Sequence, residues 1–321
     1  MQFQNLSISP FSIGDLEGVI DLLQRELYTD AFPVETFEQK VLLDPNFESE
    51  GALVAKLDGN IVGFMLGLVR RHPLEDAPPD LDRSWITLMV VDGKFQRHGI
   101  GTALIDRTMN YLSSRGAKSV WISPYAPNYF WPGVDESAYS GAINFLKKNR
   151  FEVAYRPLSM EVSLFDFEKP LWFEERKSSL ISDGFTFDTF KTQYTLALTN
   201  FLRAEFPGDW QRIIRETMLD IFKGETASDQ LFVAIKDDQC VGFCQHQSER
   251  FGPFGVSSAL RGRGVGSVLL FDCLTRMKEK GFYRAWLRWT DDKAARLYSE
   301  AGFQETRRYS VMKCNLPKHE E

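Results

Sequence analysis

Apolar positions recur along the chain with two periods, two residues where a strand is expected and three to four where a helix is, and their order sets out the fold. Leu6-Ser7-Ile8-Ser9 alternates as a strand, and past Gly14-Asp15 the residues Leu16, Val19, Ile20, Leu23 and Leu27 keep helical spacing. A second amphipathic stretch, Phe37 to Leu43, ends before Asp44-Pro45. Residues 52 to 68 read as two apolar strands folded about Asp58-Gly59-Asn60, a turn sequence suited to a hairpin. After a polar, proline-bearing loop, Trp85 to Val91 is a buried strand that leads into a glycine turn, and a helix follows to Ser114. Val120-Trp121-Ile122-Ser123 is the next strand, an aromatic and proline-rich loop runs from Pro124 to Asp135, a helix spans Ala142 to Lys148, and a strand passes through Met160-Glu161-Val162.

The pattern then starts again. Phe185-Thr186-Phe187 is a strand, residues 193 to 205 and 209 to 223 are helical on either side of Phe206-Pro207-Gly208, and Leu231 to Phe243 repeats the first hairpin. Leu53-Val54-Ala55 corresponds to Phe232-Val233-Ala234, Val62-Gly63-Phe64 to Val241-Gly242-Phe243, and Phe151 to Phe303. One supersecondary series written twice with unequal loops is a duplicated domain and not a short-period solenoid. The 321 residues suit two domains of about 150 residues each. These are expected at 1–165 and 180–321, with a polar connector, helical in part, near 163 to 182.

Composition narrows the classes of function. The 43% hydrophobic and 26% charged content is that of an ordinary soluble globular protein. A net charge of −6 and an isoelectric point near 5.5 argue against nucleic acid as a partner and for a small ligand. No apolar run approaches the roughly 18 residues that span a bilayer, and Met1-Gln2-Phe3-Gln4-Asn5 has no basic-then-apolar signal. A cytoplasmic protein without a membrane partner is expected, as a monomer or homodimer. Cys240, Cys244, Cys273 and Cys314 are too few for a disulfide scaffold. Cys240 and Cys244, four apart in a strand, are expected on one face, and with no His or Cys cluster beside them they read as small buried hydrophobes and not as metal ligands. The aromatic loop Tyr125 to Trp131 suits a pocket wall, a domain interface or packing, with packing favoured.

The candidate chemistry lies in two glycine turns, each between a strand and an amphipathic helix. Arg261-Gly262-Arg263-Gly264-Val265-Gly266-Ser267 lacks Cβ atoms at three places, so consecutive backbone N–H groups can approach an anion at the positive end of the following helix. Arg261 and Arg263 add cations. Gln96-Arg97-His98-Gly99-Ile100-Gly101-Thr102 is the first copy's version. Neither turn has the Gly-Lys-Ser/Thr of a Walker loop, and the even spacing of Gly262, Gly264 and Gly266 departs from the dinucleotide fingerprint.

Strand, then Gln or Arg, two residues, Gly, one residue, Gly and an amphipathic helix resembles the acetyl-CoA pyrophosphate motif of the GNAT acyltransferases. The second copy adds a helix that resembles the family's later signature, Ala294-Ala295-Arg296-Leu297-Tyr298-Ser299-Glu300-Ala301-Gly302-Phe303, with a strand at Ala285-Trp286-Leu287 between the two motifs. The resemblance covers nearly the whole chain. It implies two tandem GNAT domains, each a mixed, mostly antiparallel α/β sheet flanked by helices. It implies that acetyl-CoA (coenzyme A) is held by residues 96–102 and 261–267, with the backbone N–H of Val256, or of Val91 in the first copy, on the thioester carbonyl. Tyr298 would donate a proton to the leaving thiolate. Counting back five from Phe151, as Tyr298 stands five before Phe303, gives Leu146, which donates nothing, so the second copy is expected to be the catalytic one.

The reaction so implied is transfer of an acetyl group to a primary amine of a small molecule by direct attack on the thioester. No motif fixes the general base; Glu249 is the candidate and His246 its alternative, both ahead of Phe254-Gly255-Val256. Asp291 stands where the family usually has Asn, and Pro253 removes a donor from its strand's ladder. Two other classes compete: a catalytically silent acetyl-CoA-binding or interaction protein, and a Fem-type aminoacyl transferase. The acidic balance and the glycine turns oppose the second.

Overall fold

Two runs of similar elements follow one another in the computed structural model, which describes residues 5–316. The first run is β1 (Leu6–Pro10), α1 (Leu16–Glu26), α2 (Val34–Phe37), β2 (Ala52–Leu57), β3 (Asn60–Val69), β4 (Arg83–Val91), α3 (Ile100–Ser114), β5 (Ser119–Ile122), β6 (Val134–Asp135), α4 (Ser140–Lys148), β7 (Glu152–Tyr155) and β8 (Leu158–Ser163). The connector helix α5 (Phe173–Ser182) leads to the second run: β9 (Phe185–Thr189), α6 (Thr195–Glu205), α7 (Asp209–Lys223), β10 (Leu231–Lys236), β11 (Gln239–Gln247) and β12 (Arg250–Val256). It closes with α8 (Val265–Glu279), β13 (Arg284–Thr290), α9 (Asp292–Glu300) and β14 (Gln304–Asn315).

These elements form two compact units that do not follow chain order. Among the described residues, unit 1 takes in the chain up to Pro73, Pro78–Pro157 and the segment from Arg308, whereas unit 2 takes in Leu74–Ala77 and Leu158–Arg307. In unit 1 the strands run β1-β2-β3-β4-β5-β14, with β6 and β7 also paired to β14, and only β4–β5 is parallel. In unit 2 they run β9-β10-β11-β12-β13-β8, and only β12–β13 is parallel.

The units therefore depart from the expected 1–165 and 180–321 division at two strands. β8 lies on β13 through Met160↔Leu287 and Val162↔Ala285. β14, beyond the last residue the repeat pattern marks, lies on β5 through Met312↔Ile122 and Cys314↔Val120. Hydrophobic alternation makes both segments strands but says nothing about which sheet they join. Residues 1–165 alone are expected to be unfolded. They lack Tyr309, Val311 and Met312, each no more than 3% exposed. Core losses of about 2–5 kcal/mol per side chain soon match the roughly 5–15 kcal/mol that hold an ordinary domain. Circular dichroism of that fragment checks this, and a cooperative thermal transition would contradict it.

Each sheet is packed on both faces. In unit 1 Met65, Ile100, Leu104 and Leu146 fill the α3 and α4 face, and Val19, Leu23, Phe37 and Phe64 the α1 and α2 face. In unit 2 Phe173, Leu269, Leu270 and Tyr298 fill the α5, α8 and α9 face, and Leu198, Leu202, Ile214 and Phe243 the α6 and α7 face. The aromatic loop is packing: Tyr125 is wholly buried, donates to Asp44 Oδ1 (3.1 Å) and accepts from Asn46 Nδ2 (2.8 Å), while Phe130 sits 5.4 Å from Phe32.

Both hairpins carry a bulge, at Val62 and at Val241, where the register slips by one residue. One extra residue reverses the alternation of side chains. Cys240 consequently packs with Ile214 and Phe243 on one face and Cys244 with Leu269 on the other, which corrects the expectation that the two cysteines share a face. All four cysteines are buried and free. Among the described residues no helix is long and apolar enough to cross a membrane, and no group of three or more His, Cys, Asp or Glu could hold a metal ion.

Candidate active site

In each unit the parallel strand pair parts. β4 meets β5 only from Arg83↔Ser119 to Ile86↔Ile122, so Thr87–Val91 run on beyond their neighbour. β12 meets β13 only at Arg250↔Trp286, and Phe251–Val256 run on in the same way. Successive strand amides point to opposite edges. Asp92 N–H donates to Val62 O (2.9 Å) and Ser257 N–H to Val241 O (2.9 Å), so the amides just before them, of Val91 and Val256, face the parted edge. Gly252 and Pro253 together oppose Gln245 in a bulge, so the missing N–H of Pro253 falls where the ladder is already interrupted.

The glycine turns sit beside these openings. Gly262 (φ +80°) and Gly264 (φ +90°) take the left-handed conformation that glycine enters freely. In unit 1 the matching residues are Arg97 (φ +64°) and Gly99 (φ +88°). A non-glycine residue there carries strain of about 1–2 kcal/mol, so the first copy's turn is the less relaxed of the two. The first intrahelical bonds are Ala103 N–H to Gly99 O and Val268 N–H to Gly264 O. The amides of Ile100, Gly101 and Thr102, and of Val265, Gly266 and Ser267, come before them and have no helical acceptor. Neither turn has a side-chain cap. Three N–H groups at a helix N-terminus, without an acceptor among the described residues and opened by glycine, fit a diphosphate. Arg261 and Arg263 flank the second cradle; at the first, Gln96 Nε2 donates to Val91 O (3.0 Å), and His98 Nδ1 donates to Gln96 O (2.8 Å).

The third glycine serves close packing. A Cβ on Gly266 would lie 3.1 Å from Phe254, 3.4 Å from Val256 and 3.5 Å from Leu297. A Cβ on Gly101 would lie 3.3 Å from Phe145 and 3.8 Å from Val91. Each glycine thus joins its helix to the parted strand and to the later helix, Val256 and Leu297 in unit 2 corresponding to Val91 and Phe145 in unit 1. Leu146, wholly buried, therefore stands where Tyr298 stands in unit 2. Tyr298 is 8% exposed, with ring centroids 5.9 Å from Phe251, 6.1 Å from Phe254 and 5.6 Å from Phe303. Its hydroxyl makes no hydrogen bond among the described residues. Burial drives its pKa well above the usual phenol value, with Cys244 and Asp291 adding to the effect, so it keeps its proton.

Of the two base candidates, Glu249 accepts at Oε2 from Arg284 Nε (2.8 Å) in a largely exposed ion pair, and Glu249 O accepts from Trp286 N–H where β12 and β13 are still joined. His246 is buried; its Nδ1 donates to Ser248 O (3.0 Å), its ring meets Phe282 edge-on, and its Nε2 has no partner among the described residues. Burial lowers its pKa, so the ring is neutral. Phe282 and Arg284 follow the end of α8, a helix about 22 Å long, whose other end is the glycine turn. Glu249 and His246 both precede the parted stretch of β12 that ends at Val256, and Glu249 is engaged by Arg284. Glu249→Gln is expected to leave turnover within about twofold, as for an ordinary surface ion pair; steady-state thiol release checks it.

A carboxylate that pattern reading missed does stand at the Val256 end. Glu205, the last residue of α6, accepts from Ser257 Oγ (3.1 Å) and Ser258 N–H (3.4 Å). Glu26, the last residue of α1, accepts from Gly93 N–H (3.0 Å) in the same place in unit 1. Aligning the two copies along their first helices carries that signal. Asp291 caps α9, accepting from Ala294 N–H at 2.7 Å, which gives this acid a helix-capping role.

Parted parallel strands, a glycine turn and a helix packed against both occur twice, once in each unit. The chain belongs to the acetyltransferase (GNAT) family, whose sequence profile matches residues 19–130 and 195–303, and N-acetyl transfer is its class of chemistry. A GCN5-related N-acetyltransferase from Sphaerobacter thermophilus superposes with a TM-score of 0.71 at 18% identity, covering 99% of this chain and 98% of that one. A tandem GNAT protein from the clavulanic acid biosynthesis pathway gives 0.62 at 13% identity, over 98% and 100% of the two chains. A glucosamine N-acetyltransferase region of a fungal multi-domain GH3 beta-N-acetylglucosaminidase gives 0.75 at 18% identity, with 97% of this chain aligned to 38% of the fungal one. At these identities the likeness is one of fold. No curated protein sequence matches the chain.

Proposed function

We propose that unit 2 transfers an acetyl group from acetyl-CoA to the primary amine of a small molecule. The observation that carries this reading is the convergence at Gly266, which packs the glycine cradle against both the Val256 strand and the Tyr298 helix. Bound acetyl-CoA supplies an activated acyl group on a thiolate leaving group. Arg261, Gly262, Arg263, Gly264, Val265, Gly266 and Ser267 hold its diphosphate through backbone N–H groups and two guanidiniums. Val256 N–H, aimed into the parted edge, stabilises the oxygen on which charge develops as the amine attacks. Tyr298 keeps its proton through neutral pH and gives it to the departing sulfur. Glu205 takes the proton from the amine, directly or through water. The tip of the Phe206 ring abuts Gly255, 2.5 Å from where a Cβ would be, with Trp210 stacked 5.2 Å from it. That aromatic wall favours a compact amine over a polypeptide.

Unit 1 holds a second coenzyme A by the same cradle, through Val91, Gln96, Arg97, His98, Gly99, Ile100, Gly101 and Thr102, without turnover, because Leu146 has no proton to give. Release of free thiol from acetyl-CoA across a panel of small primary amines tests the reading. Amine-dependent release is expected; coenzyme A binding with no release on any amine would favour a silent binding protein. Glu205→Gln is expected to lower kcat about a hundredfold, the ordinary share of a general base, and an unchanged kcat would remove Glu205 from the reaction.

A further inference from the structure

The connector helix α5 brings an arginine to the second glycine turn. A Cβ on Gly264 would lie 2.6 Å from Arg176 Nη1 and 2.9 Å from its Cδ, so this side chain is laid across the glycine at the mouth of α8. The same position on Gly99 in unit 1 has nothing within 4 Å among the described residues. Arg176 is exposed, and among the described residues its guanidinium makes no hydrogen bond or ion pair. Its helix neighbour Glu174 faces Lys169 instead (3.7 Å). Arg263, next to Gly264, reaches Asp183 only at 3.7 Å and lies 5.9 Å from the Phe185 ring. Two guanidiniums therefore stand at a helix N-terminus, whose partial positive charge repels them. That arrangement becomes favourable when an anion lies between them.

We propose that Arg176 is a phosphate ligand of coenzyme A in unit 2, a recognition element that unit 1 lacks. This rests on the glycine turn being the coenzyme's diphosphate cradle. α5 packs on α8 through Phe173 and Phe271 (5.9 Å) and through Lys177 and Asp272 (2.7 Å), and it leads directly into β9, the strand at the edge of the sheet. Arg176, laid on Gly264 of the turn, serves the coenzyme's phosphates and leaves the thioester to Val256 and Tyr298.

Calorimetric titration of the intact chain with coenzyme A tests this on wild type, Arg176→Ala and Arg176→Lys, with thermal melts as a folding control. The site that weakens should be the one that Gly266→Glu abolishes. Its Kd is expected to rise about tenfold in Arg176→Ala, the scale of one charge-assisted hydrogen bond, to recover in part in Arg176→Lys, and to converge on wild type at high salt. Titration with 3′-dephospho-coenzyme A assigns the contact: a vanished difference places it on the 3′-phosphate, a persistent one on the diphosphate, and both uphold the proposal. An unchanged or tighter Kd in Arg176→Ala overturns it, the arginine then being packing or a plug. A wild-type chain that takes up no coenzyme A overturns the cradle reading itself and this inference with it.

Discussion

Replacing Tyr298 by Phe is expected to lower kcat for amine-dependent thiol release by about 10² to 10⁴, the range of a lost general acid, while leaving the KM for acetyl-CoA in place. The split follows from where the hydroxyl acts. It makes no hydrogen bond among the described residues, so its removal costs no packing partner, and the ring stays in its cage of Phe251, Phe254 and Phe303. A group needed only as the thiolate leaves lowers kcat and kcat/KM together. The same residue sets a pH dependence of stability. Its folded pKa is raised above the usual phenol value of 10.0, so the unfolded chain gives up this proton first. The stability it contributes is fully present below pH 10 and declines as the pH rises beyond that. Urea midpoints at pH 8 and pH 11 should therefore differ less in Tyr298→Phe than in wild type. Wild-type kcat in the variant would take Tyr298 out of the mechanism.

Gly266→Glu is expected to abolish coenzyme A binding at unit 2 and to reduce turnover at least a hundredfold, since even small misplacements of a reacting group cost that much. Two effects combine. Any Cβ at this position presses on Phe254 at 3.1 Å, at the junction of the parted strand and the tyrosine helix. The added carboxylate also brings a negative charge to the turn proposed to hold the diphosphate, and like charges repel. Calorimetry on the folded variant separates loss of binding from loss of structure.

Much of this site was legible in the sequence because it is local. The two glycine turns, and the contrast between Leu146 and Tyr298, follow from short spacings, and the contacts of Gly101 and Gly266 reproduce the correspondence. What escaped depends on long-range pairing. Leu158–Ser163 and Arg308–Asn315 are strands by their own alternation, but their place beside β13 and β5 is decided by edges elsewhere in the chain. The bulge at Val241 turned Cys240 away from Cys244, because one inserted residue defeats any argument from a period of two. Glu205 and Arg176 reach the site from helices far away in sequence, which no spacing rule connects to it.

Side-by-side turnover of Gly101→Glu and Gly266→Glu bears most directly on the division of labour between the two units. With acetyl-CoA saturating and a reactive amine in hand, thiol release should persist at more than half the wild-type rate in Gly101→Glu and vanish in Gly266→Glu. Loss of turnover in Gly101→Glu with full activity in Gly266→Glu would place catalysis in unit 1 and contradict the role given to Tyr298.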